Sequence, residues 1–233
     1  MNNPHIYVIH LKERTDRKKQ FLRAWTPNPK NLHWFPAVRG MDLPDSTLAA
    51  FRTAARTRKA RAGRVGCYCS HVAAIETAIK KNHFPLLILE DDAIPTKHLQ
   101  DLPTLFKTAP EAANLLYFGA LPVAGKRRAT GYCQTLESSE SGGWHIPPAS
   151  IALYGGHAYG FRTRDAAQDV LAHLKDNKIT YDSALLRYQK KYRDKVSVHC
   201  PFQFYQAEGY SDIENAKRPK RGVKSETLRR QRN

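Results

Sequence analysis

Long apolar runs are missing from this sequence. No stretch approaches the roughly 18 to 20 residues that a membrane span needs. The N-terminal IYVI is too short, and too quickly followed by Lys12 and Arg14, to be a signal peptide. The expectation is a soluble globular protein in the cytoplasm. Cysteine is scarce as well: Cys67, Cys69, Cys133 and Cys200 are few for 233 residues and fit no small disulfide framework, so they are expected to be reduced. Cys67, Cys69 and His71 suggest a metal cluster, but no Cys-x-x-Cys accompanies them. Alternate positions on a helix also point about 200° apart, which sets the zinc reading aside. Acidic residues are short too, 21 against 38 Lys and Arg, for a formal charge of +17. Such a surplus is unusual for an enzyme of neutral small molecules and implies attraction to something anionic.

What is present is enough for one substantial core, at 41% hydrophobic residues, and the length favours one domain with a small appendage. The positive charge is clustered. Arg52, Arg56, Arg58, Lys59, Arg61 and Arg64 form one block without an acid, and residues 216–233 hold eight Lys or Arg against Glu226. The ordinary reading of such runs is a solvated face. Residues 1–215 are read as the folded domain and 216–233 as a basic, disordered tail with too few apolar side chains to pack.

HIYVIHL (His5 to Leu11) reads as a buried first strand, followed by an amphipathic helix carrying Phe21, Leu22 and Trp25. HWFPAV (His33 to Val38) is a second strand that ends near Gly40. From Val65 to Lys81, apolar residues recur at Val65, Cys69, Val72, Ile75 and Ile79, which predicts a helix facing a sheet. PLLIL follows, apolar on both faces, as a central parallel strand would be. Asn114 to Gly119 is a further strand, Gly125 to Gly143 a loop, and ALYGGHAYGF precedes the helix-like RDAAQDVLAHLK.

The PLLIL strand runs straight into Glu90, Asp91 and Asp92. Open α/β sheets bind ligands beyond the carboxyl ends of their strands, so these acids sit where a ligand belongs. Adjacent carboxylates raise one another's pKa unless a positive charge answers them. A divalent cation does so: hard oxygen ligands suit Mn²⁺ or Mg²⁺, which take one or two protein carboxylates and share the rest of their shell with phosphates and water. Solvated loop acids, or partners for nearby arginines, are the alternatives. Aspartyl-phosphate chemistry is disfavoured because EDDAI lacks the Asp-x-Asp spacing it needs.

Several motifs occur in order: IYVIHLKERTDRKKQF, FPAVRG, GRVGCYCSHVAAIETAIKKNHFPLLILEDD, GGHAYGFRTRDAAQDVL, YDSALL and QAEGYSDI. Together they resemble glycosyltransferase family 25, the group of lipooligosaccharide and collagen galactosyltransferases. The resemblance implies a GT-A-type α/β domain with a mostly parallel central sheet flanked by helices. It also implies a UDP-sugar donor, usually UDP-galactose, a divalent metal and inverting transfer. By the match, Glu90, Asp91 and Asp92 stand at the acidic metal motif, and Arg14 and Arg17 in an LxxRxDR pattern. Gly66, Ser70 and His71 match GCxxSH, His157 and Tyr159 match HAY, Asp182 an Asp after the following helix, and Gln206, Ser211 and Asp212 a C-terminal Q…SDI. One departure is Arg39, where the family usually has an acid in AVDG.

Roles follow from chemistry. Asp92 is the first choice as direct metal ligand, with Glu90 or Asp91 acting through water or orienting it, because neighbouring strand residues point to opposite faces. Arg14, Arg17, Ser70, His71, His157, Gln206 and Ser211 are the donor-binding candidates. Asp182 is the candidate base, against the plainer reading of a helix cap, and Asp212 is the alternative base. The expected acceptor is a hydroxyl of a saccharide, glycolipid or glycoprotein. A second reading on the same fold is sugar transfer to a nucleic-acid base, which the charge favours; the basic tail is a candidate contact to an anionic membrane surface, with nucleic acid the weaker alternative because the tail has no aromatic residue for stacking. A non-catalytic anion-binding protein on a degenerate transferase fold is the reading from a different class, and the intact EDD argues against it.

Overall fold

A computed structural model describes residues 3–25, 29–129, 131–133, 143–207, 209–211 and 216–218. Its first half alternates strand and helix. β1 (His5–His10), α1 (Thr15–Ala24), β2 (Leu32–Pro36), α2 (Asp45–Ala49), α3 (Arg58–Lys81) and β3 (Leu86–Glu90) follow one another, then β4 (Ala93–Pro95) and α4 (Leu102–Thr108). The second half holds β5 (Leu115–Ala124), β6 (Arg127–Arg128), β7 (Gly143–His145), β8 (Ile151–Phe161), α5 (Arg164–Asp176), α6 (Tyr181–Lys191), β9 (Val196–Cys200), β10 (Phe204–Gln206), β11 (Gly209–Ser211) and β12 (Ala216–Arg218).

The main sheet runs β2-β1-β3-β8-β5-β9-β7, with β6 beside β5. β2, β1, β3, β5 and β9 point one way, while β8 runs antiparallel between β3 and β5. The central sheet is therefore mixed, with mostly parallel core strands and helices on both faces, an α/β domain consistent with the GT-A-like expectation. β3 is parallel to β1 and antiparallel to β8, and Leu86 to Leu89 are fully buried between the two helical layers.

Period-two alternation sorts the side chains into two cores. Tyr7, Ile9, Leu86 and Ile88 face one layer, where Val65 and Ile75 of α3, Val170 of α5 and Leu185 of α6 cover them. Ile6, Val8, Leu87 and Leu89 face the other, under Phe21 of α1 and Leu105 and Phe106 of α4.

α3 begins at Arg58, nearly two turns before the expected Val65. Its periodicity starts late because the first turns are basic, but Thr57 caps them by accepting from the Ala60 N–H. Arg61 turns back to donate to the carbonyls of Leu48 and Phe51, so part of the basic block serves α2 and its turn. α3 also lies hard against the segment after β2. A Cβ on Gly40 would overlap the Ala62 carbonyl, and one on Gly66 would come within 2.8 Å of Val38 O and 2.7 Å of Gly40 N. Beyond β2 the Ala37 N–H still bonds the His10 carbonyl, and the Val38 N–H turns to the Ser70 hydroxyl of α3.

One expectation is corrected. Cys133 and Cys200 form a disulfide with Cα atoms 5.2 Å apart, while Cys67 and Cys69 remain thiols. The partners lie 67 residues apart in sequence, and Cys200 is the last residue of β9. β12, the first three residues of the basic C-terminal segment, pairs antiparallel with β11, and 219–233 lie outside the described residues. Most of the Gly125 to Gly143 loop does too, between β6 and β7. Among the described residues, no helix is long and apolar enough to cross a membrane.

Candidate functional site

The three carboxylates fall at one end of the parallel strands, and strand alternation divides them. Glu90 is the last residue of β3 and turns toward α3, while Asp91 turns toward α1. Neither Asp91 nor Asp92 is solvated: they are 5% and 7% exposed.

Asp91 is held from both sides. His10 Nδ1, at the last position of β1, lies 2.9 Å from its Oδ2, and Arg17 Nη1 donates to Oδ1 at 2.7 Å. Arg17 also reaches Asp92 at 3.4 Å. Burial opposes the charge of Arg17, but Asp92 and Asp91 outweigh it and hold the guanidinium above its ordinary range. Arg17 sits in the first turn of α1, placed there because β1 ends beside β3 in parallel register, Ile9 opposite Glu90.

Glu90 belongs to a second set. His71, one of the buried residues of α3, sets Nε2 3.4 Å from Glu90 Oε1 and Nδ1 3.0 Å from the Tyr159 hydroxyl. Its ring stacks on Tyr181 at 3.9 Å and 9°. Gln206 closes the group from β10, which pairs with β4 so that Gln206 stands opposite Ala93. Its side-chain amide lies 3.4 Å from Glu90 and 3.5 Å from both oxygens of Asp92.

His157 and Tyr159 project from β8 into the same layer as His71, and both are buried. Gly155 and Gly119 make room for the His157 imidazole, since a Cβ on either would come within 2.8 Å of a ring nitrogen. Gly156 gives the same room to the Tyr181 ring. The paired glycines thus admit the protein's own rings. Asp182 accepts a hydrogen bond from the Gly156 N–H at 3.0 Å, tying the first turn of α6 to β8. It is not the cap of that helix: the N-cap position is Thr180, and no side chain caps it. Burial lifts Tyr159 and Tyr181 far above the ordinary phenol range, so both stay neutral.

The remaining candidates lie differently. Arg14 makes a double contact with Asp16, at 3.0 and 2.8 Å, which pulls Asp16 down to about 2. Ser70 accepts from the Val38 N–H at 2.8 Å and donates to the Gly66 carbonyl at 2.6 Å, joining α3 to the chain after β2. Arg39 is exposed and 4.0 Å from Glu13. Ser211 is in β11, and Asp212 lies outside the described residues. Sequence reasoning missed His10, because a histidine ending a strand carries no signal until the neighbouring strand supplies Asp91.

Among the described residues, one grouping at this end of the sheet has metal-ligand spacing. Cys67 and His71, one helical turn apart, bring their ligand atoms within 4.8 Å of a Glu90 oxygen, and Cys69 is not part of the group. Among the carboxylates, Asp91 is engaged by His10 and Arg17, Asp92 by Arg17 and Gln206, and Glu90 by His71 and Gln206, so Glu90 and Asp92 converge on one amide.

The sequence model of a family described as "Glycosyltransferase family 25 (LPS biosynthesis protein)" matches residues 3–186. A Glycosyltransferase 25 family member of Anopheles gambiae is 31% identical over 96 residues, covering 38% of this chain and 16% of that protein. A Glycosyltransferase 25 family member of Drosophila melanogaster is 28% identical over 125 residues, 49% of this chain and 20% of that protein. Procollagen galactosyltransferase 2 of Homo sapiens is 29% identical over 100 residues, 40% of this chain and 16% of that protein. The matched part of this chain thus spans a fifth or less of the length of these relatives.

Proposed function

Because the chain belongs to glycosyltransferase family 25, we propose that it moves a hexose, galactose or else glucose, from a UDP-sugar to a hydroxyl of a saccharide, glycolipid or glycoprotein acceptor, inverting the anomeric centre. The observation that carries this reading is the division of the carboxylates. Asp91 is anchored by Arg17 and His10, while Glu90 and Asp92 converge on the Gln206 side-chain amide, and these are the two carboxylates we assign to a cation.

Asp92 and Glu90 are the residues that would hold Mn²⁺ or Mg²⁺. When bound, such an ion supplies positive charge to the leaving diphosphate. Arg17 holds Asp91 and Asp92 in place and adds a fixed positive charge near the phosphates. His71 orients Glu90 through Nε2, and its ring is held by Tyr159 and Tyr181. In the transfer, the acceptor oxygen bonds to the anomeric carbon, the bond from that carbon to the diphosphate oxygen breaks, and the hydroxyl proton passes to a carboxylate base. Asp182 takes that role, with Asp212 as the alternative. The Gly156 N–H fixes one Asp182 oxygen, and the other is the oxygen we assign to the proton. The +17 charge favours an anionic acceptor surface, such as a glycolipid in a membrane.

The test is UDP release from UDP-galactose and UDP-glucose, with and without Mn²⁺, in the full chain and two variants. Asp92→Asn is expected to abolish Mn²⁺-dependent UDP binding while leaving the fold intact. Asp182→Asn is expected to lower turnover by about 10²- to 10⁴-fold with UDP affinity preserved. Unchanged UDP affinity in Asp92→Asn calorimetry overturns the metal assignment, and unchanged turnover in Asp182→Asn moves the base to Asp212.

A further inference from the structure

At the opposite end of β1 from the carboxylates, three histidines from three elements converge. His5 opens β1, His33 is the second residue of β2, and His83 follows the end of α3. Each offers a ring nitrogen, and the three nitrogens lie within 4.8 Å of one another. We infer that His5, His33 and His83 form a binding site for a divalent transition metal of the zinc class, separate from the sugar-transfer site.

The fold creates this convergence. His5 and Tyr7 share a face of β1 by period-two alternation, and His33 is the parallel partner of Tyr7, so all three side chains emerge on one side. α3 ends on Asn82 in the left-handed conformation, φ 54°, and the His83 N–H returns to the Ala78 carbonyl. That turn swings His83 back over the starts of β1 and β2. The site is distinct from the carboxylates: His5 and His10 are the two ends of β1, which at about 3.3 Å per residue sets them about 16 Å apart.

The donor set suits the ion. Neutral imidazole favours zinc, copper and nickel, whereas Mn²⁺ and Mg²⁺ favour oxygen. His5 Nδ1 and His33 Nε2 are 3.3 Å apart. Two nitrogens each bound to a tetrahedral Zn²⁺ at about 2.0–2.1 Å stand about 3.3–3.4 Å apart. His83 Nδ1 is 2.9 Å from the Tyr7 hydroxyl, which fixes that nitrogen and leaves Nε2 as the ligand, the outer hydrogen bond that ligating histidines ordinarily have. The His5 and His83 rings lie face to face, 3.9 Å apart and 4° from parallel. To share an ion, one of them turns out of the stack until its lone pair faces the centre; both are only partly buried. The fourth position falls to water, and an ion there would staple the starts of β1 and β2 to the end of α3.

The experiment uses the full chain stripped with EDTA, titrated with Zn²⁺ against a chromophoric chelator, and separately with Co²⁺ read by visible absorption. The series is wild type, His5→Gln, His33→Gln and His83→Gln, plus Cys67→Ser to report on the other ligand grouping. One Zn²⁺ per chain is expected at micromolar affinity or tighter in wild type and Cys67→Ser. A loss of at least tenfold is expected in each histidine variant, together with Co²⁺ bands of a tetrahedral nitrogen site that vanish in His33→Gln. Added Zn²⁺ is expected to raise the melting temperature of wild type and not of His33→Gln. His33 is exposed, so that variant keeps the wild-type melt in EDTA. Retention of the ion in all three histidine variants, its loss in Cys67→Ser, or no uptake by wild type overturns the inference.

Discussion

Arg17 is the residue on which the carboxylate end of the sheet depends. Asp91 and Asp92 are buried, and each loses a charged partner if the guanidinium goes. Leaving a buried charge without its counter-ion costs about 3 kcal/mol or more, whereas replacing both partners with neutral groups costs far less. Arg17→Met is therefore expected to lose about 3 kcal/mol in urea denaturation, and Arg17→Met/Asp91→Asn to recover much of it. A double variant no more stable than the single one would place the energetic role of Arg17 elsewhere. Glycine acts at the same scale by what it lacks. Gly40→Ala drives a methyl into the Ala62 carbonyl of α3, and forcing that contact apart is expected to lower stability by about 1–3 kcal/mol. Gly143→Ala meets nothing within 4 Å and serves as the control, expected within about 0.5 kcal/mol of wild type in the same thermal melts.

Among the elements, α3 carries the most. It packs Val65 and Ile75 on the sheet, presents His71 to Glu90, approaches the chain after β2 through Gly66, and ends in the turn that positions His83. Its interior is not a simple stripe, because it is covered on several sides. That explains both why its apolar residues recur at helical spacing and why its start was hidden among arginines. β9 is anchored by a covalent link instead. With Cys133 bonded to Cys200, two of the four thiols, those of Cys67 and Cys69, are expected to react with Ellman's reagent in denaturant without reductant, and all four after reduction. Closing a loop of 67 residues restricts the unfolded chain by about 4 kcal/mol, so reduction is expected to lower stability by up to that amount. Four thiols before reduction would restore the reduced state anticipated from composition.

On the scale of the whole molecule, buried tyrosines set the alkaline limit. Burial, aided by neighbouring Cys69, Asp176 and Glu76, lifts Tyr68 to about 12, and burial lifts Tyr132 to about 12 as well; Tyr117, Tyr159 and Tyr181 go higher. A raised pKa means the folded state keeps its proton where the unfolded chain has lost it. That stabilising contribution is whole below about pH 10, the unfolded value, and is lost as pH climbs through 12. Melting temperature is expected to fall steeply above pH 10, with tyrosinate absorbance appearing only as the protein unfolds. The acid side has the opposite sign. Burial lowers His199 below 6.5, with the Pro201 carbonyl opposing and His145 assisting, so its contribution is present above that value and declines as pH falls through it.

Sequence by itself determined the α/β class, the order of the early strands and helices, and the place of the carboxylates. Those features are written in local terms: apolar runs, periodicity, and charge at the end of a buried strand. It also singled out Arg17, His71, His157, Asp182 and Gln206 as candidates through motif resemblance, without saying what they touch. Tertiary structure decided the partners. It alone set His10 and Arg17 on Asp91 and sent Glu90 across the sheet to His71. It filled the space beside the glycines with His157 and Tyr181, inserted β8 antiparallel between β3 and β5, and joined Cys133 to Cys200. Each of these depends on strands far apart in the chain becoming neighbours. No periodicity within one segment encodes which strand lies alongside it, because that choice is made when the two hydrophobic faces of the sheet are buried together.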